Sequence, residues 1–340
     1  MTPLVSILIP AYNAERSIGD TIRSALEQTW LNKEIVVVDD GSRDRTLENA
    51  RRFASSNVCV TRQENQGAAA ARNKAFELCQ GNYIQWLDAD DILAADKVAR
   101  QMEVAEEVQS EGVLLSAAWG SFMHRPSKAQ FISTPLWCSL SPAEWLMRKM
   151  GQNLHMQTAT WLVSRMLTKT AGPWDTRLSL DDDGEYFCRV LLATSSVRFV
   201  DEAKVFYRDS GVHSLSNVDQ SKKKLESQFL SIQLHVKYLL SLENSKRTRA
   251  ACVRYLQSRF INFFPERPDL VEELQQLAAD LGGGLEIPRL GRKYFWIQRV
   301  FGYRAAKRSR SSLRLFKWQI VRSWDKALAL WENAKSAKPA

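Results

Sequence analysis

Cysteine is scarce in this 340-residue chain: Cys59, Cys79, Cys138, Cys188 and Cys252 are scattered and form no CxxC pair. An odd, dispersed set argues against a disulfide scaffold or a structural zinc site and fits a reducing compartment. No run of 18 apolar residues occurs, so no membrane-spanning helix is expected. The start, Met1 to Pro10, has no basic n-region, and its short apolar run broken by Pro10 reads as a buried strand rather than a signal peptide. No internal repeat or low-complexity segment is evident. His155 and His213 lack partners at metal-ligand spacing, which leaves them ordinary polar roles. No RNA- or DNA-binding motif accompanies the basic residues, so nucleic acid is not expected as a partner.

What is present is the composition of a soluble globular protein, 45% hydrophobic and 25% charged. The net charge of +9 hides an asymmetry. Residues 1–219 hold 23 Lys/Arg and 28 Asp/Glu, a balance of −5, and residues 220–340 hold 24 and 10, a balance of +14. The basic excess is local to the C-terminal third and needs its own explanation.

The first half alternates strands and helices. Val5–Pro10 reads as a strand buried on both faces and Glu34–Val38, Asn57–Thr61 and Asn82–Leu87 as further strands, with a helix capped by Asn13 after the first and an alanine-rich helix from Gln66-Gly67 through Leu78. Asp96–Val108 then reads as a helix and Gly112–Ser121 as a strand. Further on come a helix at Pro142–Met150, a strand-like Thr158–Ser164 and a helix from Glu185 to Leu192. This pattern predicts an α/β fold with a mostly parallel, Rossmann-like sheet flanked by helices. Beyond Asp219 the chain reads as helical, with Gly282-Gly283-Gly284 and Pro288 as the clearest hinge. The expected division is a domain over 1–215, in halves at 1–121 and 122–215, and a basic helical region over 216–340.

Ligands of an open parallel sheet bind at the carboxyl ends of its strands. Here those ends are Pro10-Ala11-Tyr12-Asn13, Asp39-Asp40-Gly41-Ser42 with Asp44, and Asp88-Ala89-Asp90-Asp91. Carboxylates two apart on an extended backbone point the same way and suit Mg²⁺ or Mn²⁺ shared with substrate phosphates. Ordinary acidic turns are the bland reading of any one end. Three polar ends at one edge, two of them rich in carboxylates, call for a cation or a donor-rich ligand, and a metal-bound nucleoside diphosphate supplies both.

The joint pattern VSILIPAYN (5–13), EIVVVDDGS (34–42), NQGAAAARN (65–73) and WLDADD (86–91) resembles family 2 glycosyltransferases of the GT-A fold over roughly residues 4–210. The resemblance implies an inverting transfer from a nucleotide-diphosphate sugar, UDP foremost, to a glycan or lipid-linked hydroxyl. It implies Pro10, Tyr12 and Glu15 around the base, Asp39 bonded to it, and Arg72 near the nucleotide. Asp88 is implied near ribose and metal, and Asp90 as the metal ligand. Asp40 is assigned to the turn, and a surface ion pair is the plainer reading of Arg72. Trp174 matches a loop flanking the acceptor, or is a buried aromatic. In Asp181-Asp182-Asp183, counting back from Arg189 makes Asp183 the general base, with Asp182 the alternative and a helix cap the plainer reading. Arg208 and His213 are candidates for a loop closing over the diphosphate. Two rivals remain: a non-catalytic nucleotide-sugar-binding protein, and a sugar nucleotidyltransferase. The latter is disfavoured because the turn after strand one contains no glycine.

Residues 285–340 hold 14 Lys/Arg and 3 Asp/Glu. On a helix, Leu313, Phe316, Ile320, Trp324, Leu328 and Trp331 share one side, with Arg322, Asp325 and Lys326 opposite. Two readings follow. Either the apolar stripe packs on the catalytic domain, or the helix lies on an anionic membrane surface. The expected setting is cytoplasmic, peripheral on the inner face of a membrane.

Overall fold

The computed structural model describes residues 2–210 and 221–336. In chain order the α/β part comprises β1 (Val5–Ala11), α1 (Ile18–Leu26), β2 (Lys33–Asp40), α2 (Thr46–Arg51), β3 (Val58–Gln63), α3 (Ala68–Leu78) and β4 (Tyr83–Trp86). It continues with β5 (Ile92–Leu93), α4 (Lys97–Val108), β6 (Val113–Phe122), β7 (Gln130–Phe131), α5 (Pro142–Gly151), β8 (Val163–Ser164), α6 (Arg165–Ala171), α7 (Asp182–Ala193) and β9 (Ser196–Arg208). One sheet has the order β3-β2-β1-β4-β8, parallel except for β8, and a second has the order β5-β9-β6-β7. The first four strands form where the apolar runs predict them. The continuous Val/Ile/Leu runs of β1 and β2 fit burial on both faces, whereas the edge strand β3 is buried only at Val58.

The order of the first sheet fixes the site. From β1 the chain runs outward through β2 and β3, then returns to place β4 on the other side of β1. The crevice at such a reversal receives the turns after β1 and β4. Helix α3 packs over β1 and β2 with Ala69, Ala71 and Ala75 buried. Small side chains let it approach the sheet closely. Gly67 precedes it at φ 93°, a conformation that side-chain-bearing residues rarely adopt.

Three local expectations are corrected. Asn13 does not cap α1, which starts at Ile18. Asn13 instead turns the chain at φ 49° and accepts a hydrogen bond from the Arg43 amide at 2.9 Å, since a short polar side chain tolerates this conformation. Thr158–Thr160 is a 3₁₀ turn, and only Val163–Ser164 pairs as a strand. The 13-residue β9, unrecognised in the sequence, pairs in parallel with β6, with a register shift between Ala117 and Ala118. That irregularity breaks the alternation by which a half-buried strand is recognised.

Beyond the α/β part lie α8 (Lys222–Leu242), α9 (Lys246–Phe263), α10 (Pro268–Asp280) and α11 (Phe295–Ser336), the last broken at Gly302. Ser245 and Thr248 form a capping box that starts α9. One apolar cluster runs from Leu8 and Trp86 through Tyr186 and Phe187 to Phe229, Phe260 and Leu274, so the sheet and α8–α10 share a core. Among the described residues no helix is long and apolar enough to cross a membrane.

His235 on α8 is buried in that core, with Nδ1 2.7 Å from the Tyr255 hydroxyl. Burial, then Lys149, lowers its pKa to about 4, against the pull of Asp181. The unfolded chain therefore takes up a proton between pH 6.5 and 4 that the folded chain refuses, and stability falls with pH across that window. The stability difference between wild type and His235→Asn should be constant above about pH 7. It should shift in favour of the variant by up to about 3 kcal/mol as pH approaches about 4. Urea titrations at stepped pH measure this, and parallel curves for the two proteins would refute it.

Candidate active site

The turns after β1, β2 and β4 and the start of α7 surround a cleft of ≈ 1320 Å³. Pro10, Tyr12, Glu15, Asp40, Asp44, Arg72, Asp88, Asp90, Asp182 and Asp183 all line it. At its centre is Arg72, whose side chain is 7% exposed. Its Nη2 donates to Asp88 Oδ1 at 2.8 Å and its Nη1 to Asp182 Oδ2 at 2.7 Å. The guanidinium lies 4.3 Å from the centroid of Trp174, which stacks at 4.0 Å on Tyr186. Asn73 pins Trp174 by accepting from its amide at 2.8 Å and donating to its carbonyl at 2.9 Å. Arg72 is thus no surface ion pair. Of the two readings of Trp174, the structure takes the buried aromatic, and the neighbouring Thr176–Ser179 segment faces the cleft.

The acids divide by what they bind. Asp40 holds the turn before α3: Oδ1 accepts from the Gln66 amide at 2.9 Å and from Gln63 Nε2 at 2.8 Å, and Oδ2 from the Gly67 amide at 2.8 Å. Asp39 is buried behind the cleft wall. Its Oδ2 accepts from the Ser42 amide at 3.2 Å and lies 3.6 Å from Arg62 Nε, while Oδ1 has no partner among the described residues. Tyr12 is 40% exposed at the cleft, and Glu15 accepts from the Arg45 amide at 3.2 Å.

Burial and the adjacent Asp88 push the Asp90 carboxyl up to about 6, against Arg208. Burial with Asp90 and Asp88 pushes Asp91 well above the usual range. Asp91, not singled out in the sequence, is an organiser: it accepts from the Arg208 amide at 2.9 Å and from Gln157 Nε2. Arg208 ends β9 and donates from Nε to the Asp90 carbonyl at 2.8 Å, so a strand holds it at this loop. His213 lies outside the described residues. His155 sits at the cleft wall, edge-on to Trp119 at 5.7 Å.

Asp182 and Asp183 open α7. Burial pushes Asp182 up to about 6 although Arg72 pulls the other way. Asp183 touches no cation directly among the described residues. Its Oδ2 accepts from Thr158 Oγ1 at 3.2 Å and its Oδ1 from the Gly184 amide at 2.7 Å. Asp181, at φ 60°, accepts from Ser231 at 3.0 Å.

Asp88 gives Oδ1 to Arg72 and has Oδ2 in reserve, and Asp90 offers a carboxylate that burial makes receptive to positive charge. Among the described residues no three His, Cys, Asp or Glu side chains form a closed metal cage. An open pair of carboxylates suits Mg²⁺ or Mn²⁺, which complete their coordination with water and phosphate oxygens.

Residues that the sequence did not place here come from α11: Trp318, Arg322 and Lys326 line the cleft mouth. Their signal was the polar side of that helix, but nothing local says which domain surface it meets.

Among known proteins, residues 6–158 match the profile described as "Glycosyl transferase family 2". An uncharacterized glycosyltransferase of Rickettsia typhi is 28% identical over 225 residues, 66% of this chain and 69% of its own. The Escherichia coli UDP-Glc:alpha-D-GlcNAc-diphosphoundecaprenol beta-1,3-glucosyltransferase WfgD is 42% identical over 102 residues, 30% of this chain and 40% of its own. The chain thus spans about two fifths of that relative. Staphylococcus aureus TarS 1-349, crystallised with UDP-GlcNAc, superposes with a TM-score of 0.64 at 18% identity, covering 91% of both chains, and shares the fold.

Replacing Arg72 by Met should destabilise the protein by up to about 3 kcal/mol, because half-buried Asp88 and Asp182 lose their common cation. Adding Asp182→Asn should restore part of that loss. Chemical denaturation of the three proteins checks this, and a single variant as stable as wild type would contradict the central role of the guanidinium.

Proposed function

This chain belongs to glycosyl transferase family 2, and from that premise we propose that it transfers a sugar with inversion from a UDP-sugar to a hydroxyl of a glycan or lipid-linked acceptor, using Mg²⁺ or Mn²⁺. The observation that carries the reading is the convergence of Asp88, Asp90, Arg72 and Asp183 on one cleft at the β1/β4 reversal. Pro10, Tyr12 and Glu15 would border the base, and Asp39, whose Oδ1 lies buried behind the cleft wall with no partner among the described residues, would accept its N–H once the wall moves aside. A buried acceptor without a donor is costly, so such a ligand relieves it. Asp90, assisted by Asp88, would hold the cation, which when bound neutralises charge on the diphosphate.

Asp183 is the better base because Asp182 is committed to Arg72. The acceptor oxygen attacks the anomeric carbon, the bond to the diphosphate breaks, and the hydroxyl proton passes to Asp183. A single displacement inverts the configuration. Arg72 also sets a spacing. It fixes Asp88 against the start of α7, which holds the donor side of the cleft at a set distance from the base. The donor and acceptor named for the E. coli relative, and the UDP-GlcNAc complex of TarS, support the assignment of substrate class.

Helix α11 supports peripheral attachment to an anionic membrane. Its apolar stripe points outward, with Phe316 59%, Trp324 68% and Trp331 56% exposed. A Trp-bearing apolar face on a basic helix suits a bilayer interface.

Asp183→Asn should lower turnover by roughly 10²–10⁴ while donor affinity stays within about threefold. Transfer assays over a panel of UDP-sugars, paired with calorimetric UDP titration, separate the two effects. Normal transfer by Asp183→Asn together with a dead Asp182→Asn would move the base by one residue. Asp90→Ala should abolish cation-dependent UDP binding, and excess EDTA should do the same to wild type. Full turnover under either condition would sink the metal role.

A further inference from the structure

Helix α11 is oriented with its polar side inward. Trp318 Nε1 donates to Asp209 Oδ2 at 3.0 Å, Arg322 Nη1 to the Ser210 carbonyl, and Asp325 accepts from the His124 amide at 2.9 Å and from Arg125 Nε at 2.8 Å. Glu332 accepts from Arg125 Nη1 at 2.8 Å. The acids of the helix therefore bind Arg125, and its cations at the cleft keep their charge. Arg322 and Lys326 on α11, with Lys223 on α8, reach the same cleft, and none has a carboxylate ion-pair partner among the described residues. Arg322 and Lys326 stand four apart on a helix, where like charges destabilise. His124 lies among them: burial and then Arg322 lower its pKa, with Lys326 and Arg208 adding to this and Asp325 opposing.

The cleft thus has an acidic floor, at Asp88, Asp90 and Asp183, and a basic mouth. The donor diphosphate would have its counter-charge at the floor from a cation on Asp90, since Arg72 is already held between Asp88 and Asp182. The cations at the mouth await a second anion. The helix that carries them also carries the outward apolar stripe, so a bilayer against that stripe would set Arg322 and Lys326 at about phosphate depth. We propose that Arg322, Lys326 and Lys223 form a phosphate-binding subsite for the diphosphate of a lipid-linked acceptor, with α11 lying in the membrane surface as its support. This inference rests on the lipid-linked acceptor reading above. It adds that a built site selects the acceptor phosphate, beyond general attraction to an anionic surface. Arg and Lys are suited to it because both donate charge-assisted hydrogen bonds to phosphate oxygens.

The test uses the full-length protein and three probes: phosphatidylcholine vesicles doped with geranylgeranyl diphosphate, vesicles doped with phosphatidylglycerol to the same charge, and Mg²⁺-UDP in solution. Wild type should bind the diphosphate vesicles more tightly than the phosphatidylglycerol vesicles. Arg322→Gln/Lys326→Gln should lower affinity for the diphosphate vesicles roughly tenfold more than for the phosphatidylglycerol vesicles, and change Mg²⁺-UDP binding less than about threefold. Phe316→Ser/Trp324→Ser should weaken both vesicle types equally. Equal losses on both vesicles in the charge variant would make the cations a general membrane patch and overturn the subsite. A loss of Mg²⁺-UDP affinity of about tenfold would reassign them to the donor and overturn it too. Failure of wild-type transfer to a prenyl-diphosphate-linked sugar, with vesicle selectivity intact, would instead count against the acceptor reading of the previous subsection.

Discussion

The guanidinium of Arg72 is the interaction on which the cleft depends. It joins Asp88, at the end of the central parallel sheet, to Asp182, at the start of α7, although these acids lie 16 and 110 residues from it in sequence. Two half-buried carboxylates facing one site repel each other. A planar cation that donates an N–H to each holds them in place. Trp174 and Tyr186 back its face with stacked rings, so the cation is fixed by packing as well as by charge. The fully buried Trp86 packs edge-on against both rings and carries this support into the sheet.

A second constraint acts at the acidic loop after β4. Asp88-Ala89-Asp90-Asp91 is tied at its far end, where Asp91 accepts from the backbone of Arg208 and from Gln157. The two sheets meet functionally here. The first delivers the carboxylates, and the second, through β9, delivers the arginine that tempers their repulsion. A cation bound at Asp90 would enter a loop already braced from two sides. Little reorganisation is then needed when substrate binds.

Helix α11 reverses the usual rule for surface helices. An amphipathic helix packed on a domain normally turns its apolar side inward. Here Trp318, Arg322, Asp325 and Glu332 face the body and Phe316, Trp324 and Trp331 face outward. The polar side has specific partners in the His124–Arg125 turn and just beyond the end of β9. The apolar side has the size and chemistry of a surface meant for something other than water.

Much of this was legible in the chain. Continuous apolar runs located β1, β2 and β4, the alanines of α3 announced a close helix–sheet contact, and acids at strand ends located the cleft. These signals are local, and they survive folding because period and turn chemistry act over a few residues. The Asn13 turn, the split of Thr158–Ser164 and the whole of β9 were not legible. Each depends on a partner distant in sequence: Arg43, the neighbouring sheet, and a β6 strand with an irregular register. The sequence by itself determined the strand–helix order, the place of the acidic strand ends and the amphipathic character of the C-terminal helix. Only the tertiary structure decided that Arg72 binds Asp182 and Asp88 together, that Asp91 organises the loop, and which side of α11 meets the protein. Pairings of that kind are set by long-range packing and charge, for which no periodicity in the chain is a proxy.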